Sequence, residues 1–117
     1  MREIKFRFWA VDKYDVGYQM IYDYTFYEVI PVNDMLNSPD VTAMQYTGLQ
    51  DKDGKEVYEG DILKGYGYGN LSGKYVVKFV EGEWKAIAIN NLTFSLPAKY
   101  FEHAELIGNV FENPELI

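Results

Sequence analysis

A run of alternating glycine and tyrosine, Lys64-Gly-Tyr-Gly-Tyr-Gly69, is the strongest chemical signal in this sequence. Tyrosine rings beside a basic residue can stack on unpaired bases, as aromatic side chains do on the sheet surface of RNA-binding domains. Residues 69–73 are rich in glycine, asparagine and serine, which is typical of a flexible loop. The run therefore supports an alternative function, a single-stranded nucleic-acid binder that stacks bases on Tyr66 and Tyr68.

Five carboxylates lie between positions 51 and 61. A calcium loop needs glycine at its sixth position, whereas Gly54 is the fourth residue counted from Asp51. A carboxylate-based hydrolase stays open as a third function, because the fold sets the distance between two carboxylates. With no cysteine and with His103 as the one histidine, we predict no metal site, no cofactor and no catalytic residue, and expect a protein that is not an enzyme.

Tyrosines provide the candidate binding residues. Tyrosine gives a large contact area at a modest cost in side-chain entropy, so several exposed rings together form an anchor for a partner. The sequence therefore favours a protein-interaction module. The candidates are Tyr58, Tyr66, Tyr68 and Tyr100.

Composition limits the setting in which the protein acts. Its formal charge of −7 repels a phosphate backbone, so nucleic-acid binding is disfavoured. Hydrophobic residues make up 48% and aromatic residues 17% of the 117 residues, enough for one folded domain spanning 1–117. The lack of cysteine suits a reducing compartment, and charges interrupt every apolar run, so we expect a cytoplasmic protein with no membrane segment.

The N-terminal part, residues 1–44, predicts a β lobe. Ile4, Phe6 and Phe8 alternate with Lys5 and other polar or large residues, as expected of a half-buried strand. Residues 18–22 and 24–30 predict two more strands, and residues 31–36 predict one short helix.

The remaining part, residues 45–117, predicts an SH3-like barrel. Asp51-Lys-Asp-Gly54 and Glu59-Gly60-Asp61 are turn sequences that separate short strands. A 3₁₀ turn over residues 99–103 and a last strand over residues 104–110 follow the pattern of such barrels. Only short helices are expected in this mainly β chain.

One hairpin can be paired residue by residue. If Glu81-Gly82 is a two-residue loop, Phe79 lies opposite Trp84, and the pairs Val77–Ala86 and Tyr75–Ala88 follow. All these residues then share one apolar face, while lysines and glutamates occupy the other. We therefore predict that Phe79 and Trp84 are neighbours on a buried face.

The segment 45–62, Gln-Tyr-Thr-Gly-Leu-Gln-Asp-Lys-Asp-Gly-Lys-Glu-Val-Tyr-Glu-Gly-Asp-Ile, resembles the YopX family of phage and prophage proteins. The opening Arg2-Glu-Ile-Lys-Phe-Arg-Phe-Trp9 and the ending Glu105-Leu-Ile-Gly-Asn-Val-Phe-Glu-Asn-Pro-Glu-Leu116 extend the resemblance over nearly the whole chain. The resemblance implies a phage-encoded accessory protein that acts in a bacterial host cell, with a phage or host protein as partner. It brings no biochemical mechanism.

Self-association is expected from the first strand. Trp9 lies on the side opposite Phe6 and Phe8, so both faces of that strand carry a large apolar side chain. One face should meet the rest of the chain and the other a neighbour. We therefore predict a homo-oligomer, most simply a dimer, with Trp9 at its interface.

The ranking of nucleic acid below protein partners can be tested directly. Fluorescence anisotropy with labelled single-stranded DNA and RNA should show no binding at low micromolar protein and physiological salt, because the net charge of −7 opposes it. Saturable binding that is lost in the Tyr66→Ala/Tyr68→Ala double variant would overturn this ranking.

Overall fold

The chain is mainly β, as predicted, in a computed structural model that describes residues 5–12, 17–22, 41–65, 73–89 and 95–117. A 3₁₀ helix (Ala98–His103) precedes the last strand, and a second one (Pro114–Leu116) follows it. The described strands are β1 (Phe6–Asp12), β2 (Gly17–Ile21), β3 (Val41–Gln50), β4 (Glu56–Tyr58), β5 (Asp61–Gly65), β6 (Gly73–Val80), β7 (Glu83–Ala88), β8 (Ser95–Pro97) and β9 (Glu105–Asn109).

The first sheet is antiparallel and has the order β2-β1-β3-β4. The predicted hairpin of the first two strands is confirmed by the pairing of β1 with β2. β3 is long because its first half pairs with β1, ending at Phe6 opposite Gln45, and its second half pairs with β4, starting at Tyr46 opposite Tyr58. β3 therefore crosses residue 45, the boundary predicted between the N-terminal β lobe and the barrel lobe.

The second sheet is antiparallel and has the order β8-β7-β6-β5-β9. This order, with a 3₁₀ helix before β9, is compatible with the predicted SH3-like barrel. The described strands form an open sheet and not a closed barrel. The strand predicted over residues 24–30 and the helix predicted over 31–36 lie outside the described residues.

The predicted register of the β6–β7 hairpin is confirmed at every pair, including Phe79 opposite Trp84. Glu81 and Gly82 form its loop with φ of 53° and 80°. Two consecutive positive φ values give the turn whose twist matches that of the flanking strands. The loop therefore fixes which side chains share a face.

The main core lies on one face of this hairpin, but the prediction that Phe79 is buried there is wrong. Tyr75, Val77 and Ala86 are buried, whereas the Phe79 side chain is 54% exposed and Trp84 is partly buried against the core. Phe79 lies beside the hairpin loop, beyond the part of β6 that pairs with β5, so less of the fold covers it. The buried core residues are Val57, Leu63, Tyr75, Val77, Ala86, Leu96, Phe101 and Ala104.

The turn after β3 is held by the buried carboxylate of Asp51. One oxygen accepts the N–H groups of Asp53 and Lys55 at 2.9 and 2.8 Å, and the other accepts the N–H of Leu106 on β9 at 2.9 Å. Burial raises the pKa of Asp51, but these three hydrogen bonds outweigh it and leave that pKa below its ordinary value. Asp51 therefore fastens the turn to the last strand.

Candidate binding site

A buried ion pair joins the two sheets. The Nη2 of Arg7 on β1 lies 2.8 Å from an Asp61 carboxylate oxygen at the start of β5, and both side chains are 2% exposed. Because Arg7 alternates with Phe6 and Phe8, the sequence pattern predicts it on the opposite side of the strand from these two apolar residues. The side of β1 that carries Arg7 instead faces the second sheet, which is a long-range contact that local periodicity does not encode.

Two tyrosines and a carbonyl complete the surroundings of Arg7. Its guanidinium donates to the Glu59 carbonyl at 3.1 Å and to the Tyr22 hydroxyl at 3.3 Å. The ring centroids of Tyr58 and Tyr22 lie 4.9 and 5.9 Å from the guanidinium carbon, in reach of cation–π attraction. Tyr58 is only 4% exposed, so this candidate binding residue packs inside the protein.

Asp61 is held from both sides. Its second carboxylate oxygen accepts the Tyr58 N–H at 2.7 Å. Burial raises the pKa of Asp61 to about 6, although Arg7 and the Tyr58 N–H favour the ionised form. The folded protein therefore binds this proton more tightly than the unfolded chain, whose Asp61 has the ordinary pKa of 3.8. Protonation of Asp61 adds to the free energy of unfolding in full below about pH 3.8, and this contribution is lost as pH rises through about 6.

A groove with aromatic walls lies at the open end of the core. This aromatic groove is a cavity of about 410 Å³ lined by Leu49, Phe79, Trp84, Pro97, Ala98 and Lys99, among others. The Phe79 and Trp84 rings meet edge to face with centroids 5.0 Å apart. An exposed aromatic ring beside a half-buried one offers apolar area to a ligand.

A second, more polar depression of about 710 Å³ lies next to the aromatic groove. The two depressions share the lining residues Gly48, Leu49, Ala98 and Lys99, at the end of β3 and the start of the 3₁₀ helix. Polar side chains, among them Gln50, Lys52 and Glu102, line the second depression.

A separate, mainly apolar cleft lies between the two sheets. This interlayer cleft has a volume of about 570 Å³, with β3 on one side and β6, β7 and the C-terminal residues on the other. Phe79 and Ile117, both more than half exposed, line it. Phe111 also lines it and carries the Trp9 ring stacked upon it, with centroids 5.5 Å apart. The proposed interface residue Trp9 is therefore half-buried beside this cleft.

Of the remaining candidate tyrosines, the structure describes Tyr100 alone. Tyr100 is 37% exposed, with the Lys99 ammonium 5.1 Å from its ring centroid. Tyr66 and Tyr68 lie outside the described residues. The sequence did not identify Phe79 as a surface residue, because it alternates in step with the buried residues Tyr75 and Val77 of the same strand. Its position next to the hairpin loop was the available indication that it is exposed.

Among the described residues, no three histidine or acidic side chains gather where they could hold a metal ion. Asp51 and Asp61, from the acidic cluster, are occupied by backbone N–H groups and by Arg7. The helices within the described ranges are too short and too polar to cross a membrane.

Two open antiparallel sheets joined by a buried ion pair define a small, mainly β protein. The YopX protein family matches residues 5–117, and the chain belongs to that family. The crystal structure of protein EF1440 from Enterococcus faecalis is similar to it, with a TM-score of 0.57 and 22% identity over 99% of each chain. At this identity the likeness shows a shared fold. A comparison with curated proteins finds no match.

Removing Arg7 should destabilise the protein in a pH-dependent way. Arg7→Met leaves Asp61 without its countercharge and should lower the free energy of unfolding by about 3–5 kcal/mol near pH 8. Near pH 5.5 the loss should be smaller, because burial already raises the pKa of Asp61 to about 6 and a neutral carboxyl needs no countercharge. Urea denaturation at the two pH values measures both losses.

The matched control is Lys5→Met, which removes a partly exposed ion pair with Glu56. It should cost no more than about 1 kcal/mol at either pH. Equal losses for Arg7→Met at both pH values would contradict the assigned role of Asp61.

Proposed function

We propose that this protein is a protein-interaction module that binds an extended segment of a partner protein in the aromatic groove. One observation carries the proposal: Phe79, a large apolar side chain, is 54% exposed beside Trp84 in that groove. The chain belongs to the YopX family, and the resemblance noted in the sequence supports a phage-encoded accessory protein in the cytoplasm of a bacterial host cell.

Binding through Phe79 is favoured by the energy of its exposed ring. Fully burying a large apolar side chain is worth about 1.5–3 kcal/mol, and Phe79, which is 54% exposed, can gain about half of that when a partner covers it. Aromatic residues beside a well-packed pocket supply most of the energy at many interfaces. Trp84 is anchored against the core, so the groove keeps one rigid wall when a partner covers Phe79.

Binding is favoured over catalysis because the two buried carboxylates among the five acidic side chains between positions 51 and 61 already stabilise the fold. Asp51 accepts three backbone N–H groups, and Asp61 pairs with Arg7. A carboxylate used in this way cannot also transfer protons to a substrate without loss of these bonds. The protein is therefore proposed to be a binding protein and not an enzyme.

The test compares two variants that each remove one exposed apolar side chain. Phe79→Ser should lose a partner captured from lysogenic host cells, whereas Ile117→Ser should keep it, because Ile117 lines the interlayer cleft and not the groove. The captured protein is identified by mass spectrometry, purified, and titrated against each variant by calorimetry. We expect a loss of affinity of at least about tenfold, or 1.4 kcal/mol, for Phe79→Ser alone.

Phe79→Ser should leave the free energy of unfolding within about 1 kcal/mol of the wild-type value, because the ring is largely exposed. Unchanged affinity in Phe79→Ser would overturn the proposal. So would an equal loss in Ile117→Ser, which would move the binding site to the cleft.

Self-association is a second proposed function, carried by the interlayer cleft. The cleft offers a mainly apolar hollow and a protruding apolar side chain, Ile117, which is 61% exposed and does not line the aromatic groove. A two-fold dimer needs one surface that fits itself, and a hollow with an apolar side chain at its edge meets that need. We propose a second copy of this chain as the occupant. Trp9 stacks on Phe111, which lines the cleft, and so contributes to this surface indirectly.

Light scattering after size exclusion tests the dimer. At tens of micromolar the wild-type mass should be about twice 13.6 kDa. Ile117→Asp should give the monomer mass, because a charge in the cleft opposes its burial. Tyr100→Asp, which places the same charge on an exposed tyrosine that does not line the cleft, should remain dimeric. A wild-type mass of 13.6 kDa throughout would exclude this function.

A further inference from the structure

We propose that Asp53 is a site of spontaneous isoaspartate formation, and that Asp51 suppresses this modification while the protein is folded. Asp53-Gly54 is the single Asp-Gly pair of the chain, and the sequence contains no Asn-Gly pair. Glycine has no side chain to shield its amide nitrogen, so an aspartate before glycine cyclises onto the main chain more readily than one before a larger residue. This modification is independent of the proposed function.

The reaction needs no enzyme and no reactant other than water. The Gly54 amide nitrogen loses its proton and attacks the carboxyl carbon of Asp53, so that an N–C bond forms, a C–O bond breaks and water leaves. Water then opens the resulting succinimide ring at one of its carbonyls. One opening restores aspartate. The other leaves the main chain running through the Asp53 side chain, with an additional CH2 in the main chain and no change in mass.

Packing does not keep the reacting groups apart. Asp53 and Gly54 are both exposed in the turn between β3 and β4. A Cβ atom built on Gly54 would meet no other atom within 4 Å. Protection of this pair therefore has to come from the conformation of the main chain.

The hydrogen bonds of the turn hold the attacking nitrogen away from the Asp53 carboxyl. The Gly54 N–H donates to the Asp51 carbonyl at 3.1 Å. The N–H groups on either side, those of Asp53 and Lys55, donate to one Asp51 carboxylate oxygen at 2.9 and 2.8 Å. Three consecutive N–H groups thus point to Asp51 and fix the peptide plane between Asp53 and Gly54. The nitrogen can attack only after this plane turns, which requires local opening of the turn.

Contacts with the last strand oppose that opening. The second carboxylate oxygen of Asp51 accepts the Leu106 N–H at 2.9 Å. The Lys52 N–H donates to the Ala104 carbonyl, also at 2.9 Å. The turn is therefore attached to the chain on both sides of the start of β9, and it cannot open freely while these bonds are in place. Partly or fully unfolded molecules lack this restraint and should be modified first.

The test follows isoaspartate at Asp53 over weeks at neutral pH in the full chain, in its Asp51→Asn variant and in a synthetic peptide spanning residues 50–57. Asp51→Asn keeps one oxygen that can accept the N–H groups of Asp53 and Lys55, but it presents an NH2 group to the Leu106 N–H, so the attachment to β9 is lost. An isoaspartyl methyltransferase labels the isomer in proteolytic peptides. Asp53→Glu is the matched control, because it keeps the charge but would have to close a larger ring.

We expect the peptide to accumulate isoaspartate, the folded chain to do so at least about tenfold more slowly, and Asp51→Asn to react at least about threefold faster than the wild type. Asp53→Glu should give no signal. Hydrogen exchange of the Gly54 N–H in the wild type measures the same opening and should be slowed by a similar factor.

Isoaspartate absent from the peptide would exclude Asp53 as a site. A folded chain that reacts as fast as the peptide would show that the turn gives no protection. An unchanged rate in folded Asp51→Asn would contradict the role of Asp51. If Asp51→Asn does not fold, exchange at Gly54 decides, and a rate equal to that of the peptide overturns the proposal.

Discussion

The ion pair between Arg7 and Asp61 is the constraint on which the arrangement of the two sheets depends. One partner lies on the first sheet and the other begins the second, and both are removed from water. Taking two charges out of water is costly, so such a pair adds little net stability over a well-packed apolar contact. Its effect lies in specificity, because any other placement of the sheets leaves one of the charges buried alone.

The surroundings of this pair explain why polar residues occupy an interior. The guanidinium lies against two tyrosine rings and donates to a hydroxyl and a carbonyl, while the carboxylate accepts a backbone N–H. These partners offset part of the desolvation of each charge. The turn that carries Asp61 depends in addition on Gly60, which has a φ of 86° and where an added Cβ would lie 3.3 Å from the Met44 sulfur.

Several residues of the segment 45–62, which carries the family resemblance, have structural roles. Asp51 fastens a turn to the last strand, Gly54 takes a positive φ in that turn, and Asp61 pairs with Arg7. Each of these residues satisfies a requirement of the backbone or of a buried charge. The sequence pattern from residue 45 to 62 thus records how the fold is held together, while the aromatic groove lies largely outside it.

Local features of this fold were predictable and long-range ones were not. The register from Tyr75 to Ala88 followed from a two-residue loop and strict alternation, both of which are properties of neighbouring residues. The burial of Arg7 and the exposure of Phe79 depend on which element covers each strand. Alternation assigns a residue to one face of a strand but does not say whether another element covers that face. The pairing that builds the core could therefore be predicted, whereas the exposed ring of the aromatic groove could not.

β3 belongs to two pairings at once, with β1 along its first half and β4 along its second. If β3 separates from β1, the part of β3 that pairs with β4 loses support as well, so local unfolding is expected to extend along the whole strand. Its central amides around Gln45 and Tyr46 are expected to be among the slowest to exchange with solvent. We therefore expect the first sheet to unfold as one cooperative unit, without a separate melting transition for either of its hairpins.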